Sequence, residues 1–472
     1  MSGIFGFSLA EPGASVAPED LHAMARPLLA SGAAIAGSFV EGSAAGGVAS
    51  AVGQTSGSAR IPTPQGAIAA AFSGALYREG PWRQPGEDGP ALTARIIELY
   101  LEHGESFPER LRGEFVIGIW DGRDRSFLLV TDRFRIHPLF YHADRSKLLF
   151  GSRMSSLLAH PGMPPPTILP EAVVDLVTSS AIPTPKTIYR GIRKLPPGHR
   201  LRYRGGEVSV EPYWDLVFEP DRGASERALA ARLREILEDT VSVQLEREGD
   251  PGRVGTYLSG GVDSSTVTGI LARRAGRPIK SFSIGFAEQD FNEIRFARIA
   301  AHAFRVEHHE HFVTPAEVLE ALPVLLAAFD EPFANASAVP AYFCAKLARE
   351  HGVDRLFAGD GGDELFAGNE RYAVQRLFDD YFRIPTFVRT GVLEPLVAAM
   401  DRRTGVFGRA RKYIQRANTP YPQRLDMYGF LEEIPMDALF AGEFLEELGG
   451  SYDPGSAGHA HYRRARAGTE LD

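Results

Sequence analysis

The chain has 472 residues, 44% hydrophobic and 24% charged, a balance that fits a globular protein with sizeable cores and two or three domains. A net charge of −9 without any long basic run argues against nucleic acid as a partner, and a lone cysteine, Cys344, excludes an internal disulfide and any multi-cysteine metal site. No basic-then-apolar leader opens the chain and no apolar run is long enough to span a membrane, so the expectation is a cytoplasmic protein with no membrane partner.

Residues 3–215 read as β-rich. Runs 4–9, 67–72, 115–120 and 127–131 have strand character, and helical spacing of Ile96, Leu99 and Tyr100 marks a helix over 91–103. A second helix is expected over 171–179. Residues 34–58 are rich in Gly, Ala and Ser and carry only weak signals. The polar, turn-rich stretch 216–225 reads as a linker, with Ser225 capping a helix over 228–246. Beyond it, strand runs 254–258, 279–284, 306–311 and 355–358 alternate with helices, the order of a parallel sheet covered on both faces. Ligands of such sheets sit at the carboxyl ends of the strands. Cys344 lies in a run, 341–345, that reads as a packed helix face.

Two loops follow strands in this second half. The first is Leu258-Ser259-Gly260-Gly261-Val262-Asp263-Ser264-Ser265, ahead of a helix over 266–274. A strand turning through Ser-Gly-Gly into a helix N-terminus is an anion site, because first-turn N–H groups lack partners and the helix dipole favours negative charge. Asp263 would repel a bare phosphate, which points to a bridging cation such as Mg²⁺. The plain alternative is a Ser/Gly turn with an aspartate cap. No Lys follows the glycines, so this is not the G-x-x-x-x-G-K-[ST] loop. The second loop, Ala358-Gly359-Asp360-Gly361-Gly362-Asp363-Glu364-Leu365-Phe366, crowds three carboxylates that repel one another unless cations answer them. A solvated acidic turn is its alternative; the ligands are too close together for an EF-hand.

The first loop resembles the SGGxDS pyrophosphate loop of ATP pyrophosphatases. Both loops together, with Ser283-Ile284-Gly285-Phe286, Asp290 to Arg298 and Asp330-Glu331-Pro332, resemble the synthetase domain of asparagine synthetases. That resemblance implies that Leu258 and Ile284 flank adenine and that Ser259, Gly260, Gly261, Asp263, Ser264 and Gly359 surround ATP. It also implies that Asp263 and Asp363 bind Mg²⁺ and that Asp360 and Asp363 are catalytic, Asp360 lying near the reacting carboxylate. The β-lactam-forming relatives carry Tyr at that place, so Asp360 sets this chain apart from them. Residues 113–115, 120–121, 132–141, 187–198 and 213–215 are similar to the family's glutaminase domain. The fold implied is α/β and α+β in two domains. An N-terminal-nucleophile αββα sandwich spans 1–215, a linker 216–225, and a doubly wound parallel adenine-nucleotide (ATP pyrophosphatase) domain 226–472.

Two departures qualify the resemblance. The family's glutaminases open Met-Cys-Gly, whereas here Ser2 precedes Gly3-Ile4-Phe5-Gly6, and a hydroxyl is a far poorer nucleophile near neutral pH. The Asn-Gly-Glu-Ile-Tyr-Asn stretch that binds glutamine stands here as Ser73-Gly74-Ala75-Leu76-Tyr77-Arg78, and no clamp arginine matches between Arg26 and Phe39. The reading is a glutaminase fold without glutaminase activity. At the other end, the family's later catalytic carboxylate and lysine have no counterpart before Asp472; Lys412 sits in a basic, solvated helix, and the second domain reads as C-terminally incomplete.

The function expected is an asparagine synthetase-like ATP-dependent amide-forming ligase. It would adenylate a small-molecule or peptide carboxylate, release pyrophosphate and pass the acyl group to ammonia or an amine. Three alternatives stay open: an intramolecular cyclase of the lasso-peptide macrocyclase type, a glutamine-hydrolysing asparagine synthetase with Ser2 as nucleophile, and a non-catalytic nucleotide-binding or assembly protein. A homodimer and a partner from a biosynthetic cluster also stay open. Other features need no function. His308, His309 and His311 alternate along a strand and so point to opposite faces. Arg371 and Tyr372 could face the substrate or pack. His459 and His461 read as a loose tail.

Overall fold

The computed structural model describes residues 2–465 except 12, 52–53, 78–87, 220, 222, 248–249, 288–291, 333, 367, 369, 400–404, 425–433 and 450–451. Arg78, Asp290, the end at Asp472, and the side chains of Arg371 and Tyr372 therefore lie outside the described residues. The chain divides into two compact units. One holds Met1–Leu176, Ala181–Leu216 and Pro315–Val339; the other holds Val177–Ser180, Val217–Thr314 and Pro340–Asp472.

In the first unit, the strands are β1 (Gly3–Leu9), β2 (Ala34–Glu41), β3 (Ala44–Ser50), β4 (Thr55–Ile61), β5 (Ile68–Leu76) and β6 (Gly113–Asp121). They continue as β7 (Ser126–Thr131), β8 (Phe140–Ala143), β9 (Lys147–Gly151), β10 (Arg193–Lys194), β11 (His199–Arg204) and β12 (Glu207–Pro212). Two six-stranded sheets result, ordered β10-β8-β9-β1-β3-β2 and β12-β11-β7-β6-β5-β4. Helix α1 (Pro18–Ala30) belongs to the first sheet's outer face and α2 (Gly89–His103) to the second's; α3 (Met154–Leu158) and α4 (Pro170–Ser179) join α1.

Strand periodicity decides these layers. Along β5, Ala69 and Ala71 enter the core between the sheets with Ile4, Val116, Phe127 and Phe150. The alternate residues Ile68, Ala70 and Phe72 pack outward on Leu92, Ile96 and Ile97 of α2. Across the other sheet Phe5 and Phe7 pack on Leu21, Met24 and Leu28 of α1. This is the αββα sandwich expected. The weakly signalled residues 34–58 turn out to hold β2, β3 and β4. Two of their glycines face aromatic rings: a Cβ on Gly46 of β3 would lie 2.6 Å from the Phe39 ring of β2, and one on Gly47 of β3 2.7 Å from the Phe5 ring of β1. The bulk that β3 lacks is supplied by the strands on either side of it.

The second unit is built on β13 (Val254–Tyr257), β14 (Lys280–Phe286), β15 (Glu307–Val313) and β16 (Arg355–Phe357), ordered β15-β14-β13-β16 and parallel throughout. Helix α5 (Glu226–Arg247) precedes β13, and the Ser225 hydroxyl accepts from the Ala228 N–H at 3.3 Å as a cap. Helices α6 (Val262–Arg274) and α7 (Ile294–Phe304) follow β13 and β14. After β15 come α8 (Pro315–Ala328), in the first unit, and α9 (Ala338–Glu350) before β16. The sheet thus grows from β13 to β15 in one direction and returns to β13's other side for β16. Cys344 is buried with Phe282 and Ala348, and burial pushes its thiol up to about 12, an inert core filler.

One expectation fails. His459 and His461 lie in a helix, Ser456–Arg464, not in a loose tail. His459 is buried, with Nδ1 3.3 Å from an Asp453 oxygen, and Tyr462 stacks on Tyr421. Basic composition hid the aromatic anchor. Among the described residues no helix is long and apolar enough to cross a membrane.

Candidate active site

The strand order reverses between β13 and β16, and open parallel sheets bind ligands outside the carboxyl ends of their strands at such a reversal. Both expected loops leave the sheet there. Leu258 continues β13, its N–H donating to the Phe282 carbonyl at 3.0 Å, while the Ser283 hydroxyl donates to the Leu258 carbonyl. Gly260 then takes φ +89, and a Cβ there would lie 2.5 Å from the Ala297 backbone nitrogen, so only glycine fits this turn.

Helix α6 begins at Val262 with Gly261 as its N-cap and no side-chain cap. Asp263 is therefore a first-turn residue and not the cap, which removes the plain reading of the loop as a capped turn. The loop is braced from within. Ser259 and Ser264 hydroxyls are 2.9 Å apart, the Ser259 N–H donates to Ser264 Oγ at 3.2 Å, and the Gly261 N–H donates to Ser259 Oγ at 3.2 Å. What is left at the helix start is a set of uncapped amides pointing out of the N-terminus, with hydroxyls beside them.

The acidic loop packs directly against this turn. A Cβ on Gly359 would lie 2.8 Å from Asp263 Cβ and from the Ser264 nitrogen, and one on Gly362 2.4 Å from Asp263 Oδ2. Gly359 and Gly362 are the contact that brings Asp263 to the second loop. Asp360 is exposed in the turn after β16, and Asp363 is exposed at the start of α10 (Gly362–Phe366), its carbonyl accepting from the Gly368 N–H at 3.1 Å. Hard oxygen donors beside uncapped amides suit a divalent cation that arrives with phosphates. Among the described residues no group of three or more His, Cys, Asp or Glu forms a cage of its own. Mg²⁺ needs none, since it is held by one or two carboxylates plus substrate phosphates.

The two residues expected to flank adenine stand on adjacent paired strands: Leu258 follows β13 and is bonded to Phe282 and Ser283, and Ile284 is the next residue along β14. Leu258 is buried with Ala297 and Ala301, and Ile284 packs against the cluster around Phe282. Sequence reasoning missed Tyr257, the last residue of β13. Burial pushes its hydroxyl up to about 12, with the Asp360 carboxylate adding to the rise, so it stays neutral. Its signal was the strand end itself, one residue before the loop. The β15 histidines point to opposite faces: His308 hydrogen-bonds to Ser281 at 2.9 Å, while His309 stacks on Phe282 and lies 3.8 Å from the His351 ring.

In the sandwich, Ser2 is buried and its hydroxyl accepts the Ala51 N–H at 2.7 Å; no described side chain hydrogen-bonds to it. Ser73 shares a 3.0 Å hydrogen bond with Ser56 inside the sheet, and Arg26 is exposed on α1.

A sheet with its switch point flanked by a glycine-rich anion loop and an acidic loop, joined in sequence to an αββα sandwich, defines an amidotransferase-like domain followed by an ATP-pyrophosphatase-like domain. Residues 1–214 match the glutamine amidotransferase domain family and residues 232–449 the asparagine synthase family. The chain has asparagine-synthetase-like architecture. It is 30% identical over 333 residues to asparagine synthetase [glutamine-hydrolyzing] 1 of Bacillus subtilis, covering 70% of this chain and 51% of that protein. It is 31% identical over 293 residues to a putative asparagine synthetase [glutamine-hydrolyzing] of Mycobacterium bovis, covering 60% of this chain and 43% of that protein. It is also 26% identical over 379 residues to the amidase chry2 of Gibberella zeae, covering 75% of this chain and 55% of that protein. The chain spans about half the length of these curated relatives.

Proposed function

We propose that this chain carries the adenylating half-reaction of an amide-forming ligase. The carrying observation is the contact of Gly359 and Gly362 with Asp263, which assembles an uncapped helix N-terminus and two carboxylate-bearing loops at one switch point. In this reading a substrate carboxylate oxygen attacks the α-phosphorus of ATP, the bond to the bridging oxygen breaks, and pyrophosphate leaves with its electron pair. The amides of α6 and the hydroxyls of Ser259 and Ser264 take up the charge that develops on the leaving group. Asp263 and Asp363 would hold Mg²⁺, which lowers the cost of that charge. Asp360 would face the incoming carboxylate or amine. An amine then displaces AMP and loses a proton, giving an amide.

The same reading divides the labour along the chain: 226–472 for chemistry, 216–225 as linker, and 1–215 as a sandwich that does not hydrolyse glutamine. Ser2 hydrogen-bonded to a backbone amide, with no described side chain hydrogen-bonded to it, supports the last point. Ammonia, or an amine already on the substrate, is then the acceptor.

The test is pyrophosphate release from ATP and Mg²⁺ with a panel of amino-acid and peptide carboxylates. Release that depends on one carboxylate and drops at least ~10²-fold in Asp263→Ala supports the reading. Release unchanged by that substitution, or nucleotide binding without any turnover across the panel, would overturn it.

A further inference from the structure

The crossover from β15 to β16 lies inside the asparagine synthase match, yet its first part, Pro315–Val339, folds into the sandwich unit. The dipeptide Asp330-Glu331 ties that part to the sandwich. Arg153 Nε and Nη2 both donate to Asp330 Oδ1, at 3.2 and 3.1 Å, and Arg153 Nη2 also donates to the Ala327 carbonyl at 3.1 Å. The Met154 N–H donates to Asp330 Oδ2 at 2.7 Å and the Ser155 hydroxyl to Oδ1 at 3.2 Å. Asp330 therefore caps α3, which has no cap of its own, from 175 residues away in sequence. Glu331 accepts the Ile188 N–H at 3.1 Å and pairs with Lys194 Nζ at 2.6 Å.

Both pairs are sheltered, with side chains 10% and 11% exposed for Arg153–Asp330 and 8% and 16% for Lys194–Glu331. Arg135 lies close by on left-handed backbone, φ +55, and its buried Nε and Nη2 find no hydrogen-bond partner among the described residues. Burial pulls its guanidinium down to about 10, with Glu331 and Asp132 the countercharges that oppose the fall. One dipeptide thus answers three sheltered cations of the sandwich, and a buried cation left without its carboxylate is strongly destabilising.

We propose that Asp330 and Glu331 are positioning residues: they anchor the first part of the β15-to-β16 crossover in the sandwich unit, and the order of the chain that follows, through α9 and β16 to the Asp360 loop, depends on that anchor. A sandwich without hydrolytic chemistry then still has work to do. Only the link to Asp360 rests on the active-site reading above.

The test compares Asp330→Asn, Glu331→Gln and the pair Lys194→Met/Glu331→Gln in the full chain. The pair removes both charges but keeps an acceptor for the Ile188 N–H. Each single variant is expected to lower the unfolding midpoint by roughly 6–12 °C, and the pair to recover about half of that. Well below the midpoint, amide exchange over residues 355–366 should speed by about tenfold in the single variants. Neutral single variants would overturn the proposal. A lowered midpoint with unchanged exchange over 355–366 would overturn it too, leaving a brace for the sandwich alone. Protection of residues 258–265 by ATP is read in the same experiment on the unmutated chain. Its absence would sink the nucleotide reading and leave the anchor standing.

Discussion

The sandwich unit and the parallel-sheet unit have opposite deficits. The sandwich is closed: all nine residues of β5 are buried, and three large apolar clusters fill the spaces between its layers. Yet its Ser2 hydroxyl does no more than accept a backbone amide among the described residues. The parallel sheet has two intact loops on a thin core, with clusters of three to five buried residues and an α5 on which only Val241 is buried. Leu229, Leu233 and Ile236 stand 49%, 36% and 46% exposed along that helix. Packing and chemistry are thus separable properties here. A core needs complementary shapes on both faces of each sheet, whereas the strand-end loops need only a few glycines, hydroxyls and carboxylates at set places.

Cutting into the closed core should have the largest effect. Phe72 is fully buried between β5 and α2, so Phe72→Ala should cost about 3–5 kcal/mol and lower the sandwich's unfolding midpoint. If chemical denaturation moved by less than 1 kcal/mol (about the level of an average substitution), the claim of a tightly filled sandwich would fail.

The next effect belongs to the loops. Gly359→Ala puts a methyl 2.8 Å from Asp263 Cβ and must push the two loops apart. Pyrophosphate release should fall by about two orders of magnitude, with the circular dichroism spectrum unchanged. Full activity in this variant would mean that the contact between the loops has no part in the chemistry. Ser2→Ala sharpens the same contrast from the other side: glutamate release from glutamine should be absent before and after the substitution.

Much of this was legible in the sequence, for reasons that differ between regions. The Ser259–Ser264 and Gly359–Glu364 loops were readable because backbone approach and charge tie each position to a residue type. That they meet was also readable, from the strand order, but the means was not: Gly359 and Gly362 touching Asp263 depends on packing geometry. Strand β3 was quiet because Phe39 of β2 and Phe5 of β1 supply the bulk its own glycines lack. The anchoring of Asp330 and Glu331 was hidden for a similar reason, since Arg153 and Lys194 lie more than a hundred residues away. Long-range pairing leaves no local periodicity to read.

The smallest expected effect concerns acid. On β15, burial holds both His308 and His309 below the ordinary histidine range, with the neighbouring His351 adding to the effect at His309 and Glu310 opposing it at His308. The sandwich has one such group, His160, lowered mainly by burial. An unfolded chain takes up protons at these histidines at higher pH than the folded one does. Stability from keeping them neutral is therefore complete above about pH 6.5 and is lost as pH falls below it toward the folded values. Carboxylates act later: Asp144, opposed by partial burial but held to about 2 by Ser146 and Lys147, keeps its contribution above about pH 4 and loses it only as pH approaches 2. Amide exchange in β14 and β15 should accordingly rise between pH 6.5 and 5.5 before exchange in β5 or β6 does. A simultaneous rise in all four strands would mean that the two units share one cooperative transition, and the contrast drawn between them would apply to their surfaces and not to their stability.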